Sequence, residues 1–365
     1  MNKNLYYIIA GEPSGDLHGA NLINEIKKID LSAEFQGLGG PLMQKAGLKT
    51  TISFQRLSVM GFWEVLKDLH FFLQLKKNII SSILQLKPKK IILIDYPGFN
   101  LSLAKGIKQI IKTPILYYIS PQVWAWKKKR VYLIKKYIDK LIVIFPFEID
   151  WFKKHDLSVE FFGHPLIDQF KKTEKQISSD NSQTIALFPG SRSQEIKKHL
   201  PVLNKTSRVL KEKNPHLKFI LNITPSLSKH KIQSLVDKNI KVVQEKSSDI
   251  FLKSCGAIVT SGTATLECAI TKTPFVVIYK TSFISWLIAK SFLSVPFICI
   301  VNLLANKEII PELVQKEASP QKIANQLLKI LNNSKKIKKD LKEVKDSLGR
   351  GDAYTKTAKY IVRYD

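Results

Sequence analysis

Short apolar runs alternate with stretches of helical period along this chain. LYYIIA (5–10), IILID (91–95), ILYYIS (115–120) and LIVIF (141–145) are rich in β-branched and aromatic residues, and turn signals follow most of them. Such runs predict strands buried on both faces. Segments 17–28 and 101–112 predict helices between them, and the alternation predicts a parallel, doubly wound sheet. Residues 171–183, KKTEKQISSDNSQ, are polar and Ser-rich and read as a linker. The alternation then restarts with IALFPG (185–190), a helix near 194–213, KFILNI (218–223), KVV (241–243), AIVTS (257–261) and FVVIY (275–279). The expected organisation is α/β, with two Rossmann-like, doubly wound parallel-sheet domains (1–170 and 184–345) facing across a cleft. A terminal segment, 346–365, places Tyr354, Ala358 and Ile361 on one helical face and is expected to pack back on a domain.

Residues 62–84 are apolar on more than one helical face. Phe62, Leu66, Leu69, Leu73 and Ile80 form one stripe, while Phe71 and Leu75 lie nearly opposite. Burial accounts for such a pattern. So does contact with acyl chains or a bilayer surface, with Lys67, Lys76 and Lys77 near lipid phosphates. No segment offers ~20 apolar residues free of charge, so no membrane-spanning helix is expected.

Composition narrows the class. The 365 residues are 44% apolar, which suits about two globular domains. Three widely spaced cysteines (Cys255, Cys268, Cys299) show no CxxC pairing, which predicts neither a zinc site nor a disulfide framework and suits a reducing cytoplasm. After Met1 the chain moves directly into a strand-like run, so no secretory signal is expected. The 58 Lys+Arg against 30 Asp+Glu give a net charge of +28 and a surface that attracts anions. The lysines are scattered rather than striped, which argues against a nucleic-acid-binding module.

Ligands of open α/β sheets bind at the carboxyl ends of the strands, so the loops there carry the chemistry. TSGTATLECA (260–269) follows a strand: Ser261 or Thr263 can cap the helix, Gly262 lets backbone approach a ligand, and the free N–H groups suit a pyrophosphate. Glu267, one turn in, is placed to accept ribose hydroxyls. FPGSRSQEI (188–196) adds Arg192, whose fork can bind phosphate oxygens. In the first half, LIDYPGFN (93–100) ends a strand with Asp95, a candidate base for an attacking hydroxyl. AGEPSGDLHG (10–19) presents Glu12, Asp16 and His18, and its carboxylates repel phosphate. ISPQVWAWKKKR (119–130) combines Gln122, two tryptophans and four successive basic residues, which suits sugar stacking or an anionic surface. GLGG (37–40) does not extend to GxGxxG, because residue 42 is Leu42, so a nicotinamide enzyme is not expected. GHP (163–165) places His164 as a hinge or ligand-reaching residue.

AGEPSGDLHG, LSVMGFWEVL, DYPGFN, SPQVWAWKKKR, FGHPL, LFPGSRSQEI, SGTATLE and NLLANKEIIPELVQ occur in an order and spacing that resemble the bacterial lipid-A-disaccharide synthases over essentially the whole chain. The resemblance implies a GT-B fold and an inverting hexosyl transfer in lipid A (lipopolysaccharide) biosynthesis. UDP-2,3-diacylglucosamine would be the donor and 2,3-diacylglucosamine 1-phosphate (lipid X) the acceptor, giving a β-1,6 disaccharide 1-phosphate and UDP. The family-motif residues that match here are Glu12, Asp95, Arg192, Glu267 and Asn302; with the loop readings above, Glu12 and Asp95 are the catalytic candidates, and Gln122, Arg192, Ser261, Gly262, Thr263, Glu267 and Asn302 the substrate-binding ones. The resemblance further implies Phe62, Trp63, Leu66, Leu69 and Phe72 at the acyl chains or membrane, and no metal or other cofactor. Gly98 departs from the family, many of whose members carry a second acidic residue there. The expected setting is cytoplasmic, peripheral to the inner membrane of a Gram-negative-type bacterium, with a homodimer as a candidate assembly. A UDP-sugar transferase of the same fold with a soluble acceptor is the alternative.

Overall fold

The computed structural model describes residues 4–50, 69–170, 183–282 and 295–364. Phe62, Trp63, Leu66 and, apart from Gln183, the expected linker lie outside the described residues. The chain divides into two compact units, one formed by residues 1–168 and 349–365, the other by 169–348.

The first unit is built on a seven-stranded sheet of β1 (Asn4–Ala10), β2 (Ala33–Leu38), β3 (Leu48–Lys49), β4 (Lys90–Ile94), β5 (Ile115–Tyr118), β6 (Lys140–Val143) and β7 (Val159–Phe161). Its order is β3-β2-β1-β4-β5-β6-β7, with every pair parallel. The chain order reverses between β1 and β4, where Ala10 stands beside Ile94. The central strands carry no polar face: Ile8, Ile9, Ile91–Ile94 and Ile115–Tyr118 are all buried. Helices cover both faces, as such apolar strands require.

The helix α1 (Pro13–Ile29) starts earlier than the expected 17–28. Pro13, Ser14 and Gly15 look like turn residues, but proline fits the first turn of a helix, where no N–H partner is needed. Asp16 is therefore helical and buried, and its carboxylate accepts N–H bonds from Leu42 (3.0 Å) and Met43 (2.9 Å) at the start of α2 (Pro41–Ala46).

The helix α3 (Leu69–Leu86) covers part of the segment that is apolar on more than one face, and it shows which residues are buried. Leu75, Ile79 and Ile83 face the core, with Phe71, Phe72 and Ile80 packed partly against it, whereas Leu73 is 53% exposed. Two apolar stripes satisfy the same periodicity, and the sheet decides which one is buried. Phe72 meets Phe99 at 6.1 Å between ring centres, so it belongs in part to the core. The side chain of Leu69 lies outside the described residues.

The C-terminal helix α15 (Ala353–Arg363) belongs to the first unit and buries Tyr354, Ala358 and Ile361. Asp168 accepts from Ala353 N (3.2 Å) and Tyr354 N (3.0 Å), while buried Lys90 donates to Ile361 O (2.7 Å) and Val362 O (2.9 Å). A carboxylate thus meets the positive helix end and a cation the negative end. Lys90→Met is expected to cost about 3 kcal/mol, as one buried and one partly buried carbonyl lose a charged donor. Denaturant unfolding checks this, and an unchanged midpoint would refute it.

The second unit carries β8 (Thr184–Phe188), β9 (Lys218–Asn222), β10 (Ile240–Val243), β11 (Gly256–Thr260), β12 (Phe275–Tyr279) and β13 (Glu312–Val314), all parallel in the order β10-β9-β8-β11-β12-β13. The reversal falls between β8 and β11. The remaining helices are α4 (Pro97–Lys108), α5 (Arg130–Tyr137), α6 (Phe147–Lys153) and α7 (Pro165–Phe170), then α8 (Ser193–Lys213), α9 (Lys229–Gln233), α10 (Ser247–Leu252) and α11 (Thr263–Thr271), and finally α12 (Ile300–Ala305), α13 (Pro320–Asn332) and α14 (Ser334–Ser347).

Candidate active site

In each unit the two loops singled out by sequence flank the point where strand order reverses. Side-by-side strands whose crossover helices leave on opposite faces open a crevice at their carboxyl ends. In the first unit that point brings together the residues after β1, including Glu12, and those after β4, including Asp95.

Asp95 and Tyr96 both adopt left-handed backbone, at φ 45° and 51°. Consecutive non-glycine residues in that region are strained and persist only when held. Asn100 holds them, donating from Nδ2 to Asp95 O (2.7 Å) and Ile94 O (3.2 Å), and Tyr117 donates its hydroxyl to Asp95 O (2.5 Å). The constraint withdraws the Asp95 carboxyl from water without a cation beside it. Burial, and secondly the charge of Glu12, push its pKa up to about 6. A carboxylate so placed is ionised at neutral pH yet basic enough to take a proton. Glu12 is exposed and occupies the N-cap position of α1 with no side-chain capping bond. A Cβ at Gly98 would meet nothing within 4 Å, so the site has room for the acidic residue that this chain lacks.

His18 donates or accepts at Tyr354 Oη (2.8 Å), and His164 accepts from Leu166 N (3.1 Å). Burial drives both imidazoles toward the neutral form, to about 4 and about 3, with His18 adding to the effect on His164. His164 is thus a structural partner of its own turn. Gln122 is exposed in the segment after β5, where Ile119 also takes left-handed backbone (φ 63°).

In the second unit a pocket of about 510 Å³ lies over the other reversal point, with Arg192, Asn222, Ser247, Ser261, Gly262 and Thr263 among its walls. Gly190 turns at φ 105°, and a Cβ there would run into the Glu195 carboxylate. That carboxylate accepts from Ser191 N (3.1 Å) and Arg192 N (3.3 Å) and so shapes the loop. The Arg192 side chain is 83% exposed, 3.7 Å from Glu195. Gly262 sits at φ 155° with open space around it, leaving the start of α11 bare for a ligand. Ser261 is otherwise engaged, donating to Ile298 O (2.8 Å). Glu267 is half-buried beside Ser247, and burial raises it to about 7.

Asn302 stands apart from the expectation of a substrate contact. It is fully buried: Nδ2 donates to Ile310 O and Glu312 Oε1 (both 2.8 Å), and Oδ1 accepts from Ile309 N and Ile310 N (both 3.0 Å). Each side-chain polar atom is committed, so Asn302 positions the segment leading to β13 and offers a ligand nothing in this conformation.

Sequence reasoning missed His199. Its Nδ1 pairs with Pro189 O (2.8 Å), with Thr260 Oγ1 at 3.3 Å, and its Nε2 accepts from Lys280 N (2.9 Å), tying together the ends of β8, β11 and β12. Its spacing with Ile196, Leu200 and Leu203 on the buried face of α8 was the available signal. Among the described residues no cluster of three or more His, Cys, Asp or Glu forms a metal site, and no helix is long and apolar enough to cross a membrane.

The family model described as lipid-A-disaccharide synthetase matches residues 6–362. The chain belongs to the lipid-A-disaccharide synthase family. It is 37% identical to the synthase of Syntrophus aciditrophicus, covering 98% of this chain and 97% of that one. It is 36% identical to that of Coxiella burnetii, covering 99% and 98%. Among solved structures it is similar to the UDP-GlcNAc 2-epimerase of Neisseria meningitidis bound to UDP-GlcNAc (14% identity, TM-score 0.62, 100% of both chains). It is also similar to MurG of Acinetobacter baumannii (13%, TM-score 0.60, 100% of both chains). These last likenesses fix the GT-B fold alone. As a member of this family the chain is a glycosyltransferase of lipid A synthesis.

Proposed function

We propose that this synthase transfers 2,3-diacylglucosamine from its UDP derivative to the 6-hydroxyl of 2,3-diacylglucosamine 1-phosphate, releasing UDP. The observation that carries the reading is Asp95, a half-buried carboxylate poised at about 6 with no cation to weaken it. It takes the proton as the acceptor oxygen attacks the donor's anomeric carbon. Glu12, across the reversal point, hydrogen-bonds sugar hydroxyls and raises Asp95 by its charge. Arg192 and the bare N–H groups at Gly262 and Thr263 meet the charge that develops on departing UDP. A single displacement inverts the anomeric centre and gives a β-1,6 linkage. No cofactor enters these steps.

Glu267 accepts ribose hydroxyls when ionised. Because burial holds it near 7, the donor KM is expected to fall as pH rises through about 7, and Glu267→Gln should flatten that dependence. A donor KM independent of pH from 6 to 8 would remove Glu267 from ribose binding. Association with the inner membrane's cytoplasmic face is peripheral in this reading. The +28 charge draws the protein to anionic lipid, and salt screens the attraction over ~8 Å. The test is UDP release with and without the diacylated acceptor. Release that needs the acceptor supports the reading, and release with soluble amino sugars instead would replace it with the soluble-acceptor alternative.

A further inference from the structure

Arg130 opens α5, half-buried, near the Tyr117 phenol. Among the described residues its guanidinium makes no ion pair and no side-chain hydrogen bond. A cation partly withdrawn from water without a counter-charge is costly to hold. Burial indeed lowers its pKa, and among the described residues no carboxylate opposes that shift. Tyr117 in turn donates to Asp95 O, so the unpaired guanidinium lies one residue away from the candidate base.

Contacts on both sides of Trp124 anchor this segment. Trp124 is buried, donates to Glu148 (3.0 Å) and packs edge-on against Phe147 at 4.9 Å. Glu148 also accepts from Phe145 N (3.0 Å), fixing the segment to α6. Trp126, two residues on, is 47% exposed. Arg130 lies 5.9 Å and Lys127 Nζ 4.6 Å from its ring centre, an arrangement that holds both cations without neutralising them.

We propose that Arg130, held against Trp126, binds the phosphomonoester of the acceptor sugar, an inference that rests on the acceptor chemistry proposed above. A planar fork suits two phosphate oxygens at once. Glu12 and Asp95 repel that phosphate, so a cation set apart from them turns the sugar with its phosphate toward Arg130 and its hydroxyl toward Asp95. Arg130 does not depress Asp95, whose pKa stays raised, so both groups are free for their separate tasks.

The test measures UDP release in neutral detergent micelles with two acceptors, 2,3-diacylglucosamine 1-phosphate and the same lipid without phosphate. In the native enzyme kcat/KM favours the phosphorylated acceptor, and Arg130→Gln collapses that preference by about ten- to a hundredfold, chiefly through KM. Arg130→Lys keeps part of it. Equal loss on both acceptors marks a merely structural residue and overturns the proposal, as does an unchanged preference. A deficit seen only with vesicles of anionic phospholipid, and absent in micelles, assigns the guanidinium to a lipid headgroup and also overturns it. Equilibrium binding of radiolabelled 2,3-diacylglucosamine 1-phosphate in the same micelles reads the subsite without turnover. Binding weakened tenfold or more in Arg130→Gln upholds the subsite even if no UDP forms, in which case only the reaction proposed above fails.

Discussion

Asp95→Asn is expected to lower kcat about 10³-fold while leaving donor KM close to native, because it removes a proton acceptor and keeps the shape. The fold should not suffer. Burial disfavours the ionised carboxyl, raising it to about 6, so at neutral pH its charge opposes folding and the neutral amide melts no lower than the native protein. The same shift fixes the pH dependence. The base must be ionised, so kcat/KM rises as pH rises through about 6, and Glu12→Gln, which removes the second cause of the shift, moves that limb to lower pH. Native turnover in the Asp95→Asn enzyme would take this carboxylate out of the chemistry.

Arg192→Ala is expected to cost about 10²- to 10³-fold in kcat, since charge on the leaving pyrophosphate grows toward the transition state. Its side chain is 83% exposed, so stability should hardly move. Arg192→Lys should recover only part of the rate, because an ammonium supplies charge without the fork. Glu195 distinguishes loop shape from charge. It holds Ser191 N and Arg192 N, and its loss should raise donor KM more than it lowers kcat. If Arg192→Ala raised only KM, the guanidinium would bind the donor equally in ground and transition states.

These residues were legible because they follow strands whose patterning is unmistakable. β1, β4, β5, β8 and β11 are apolar runs, and the residue at the end of such a run stands at the carboxyl end of the sheet whatever its neighbours do. β2, β7 and β13 were not seen, since partly exposed polar and charged residues interrupt them. Lysine-rich α14 buries only Leu341 and Val344, too sparse a stripe to stand out. On α3 the sequence shows two apolar stripes without saying which one is buried, because periodicity does not say which stripe meets the sheet. Long-range partners hid the rest. Asp16 reaches 26 residues to Leu42, Lys90 reaches 271 to Ile361, and His199 ties loops from three strands. Asn302 shows the converse: the sequence singles it out, but not that its hydrogen bonds go to Ile309, Ile310 and Glu312.

The measurement that bears most directly on the assigned reaction is the structure of the product made from UDP-2,3-diacylglucosamine and 2,3-diacylglucosamine 1-phosphate. One β-1,6-linked disaccharide 1-phosphate per UDP released, with its anomeric configuration read from proton coupling, is the expected result. An α linkage would contradict the single displacement. Free diacylglucosamine in place of the disaccharide would contradict the transfer itself.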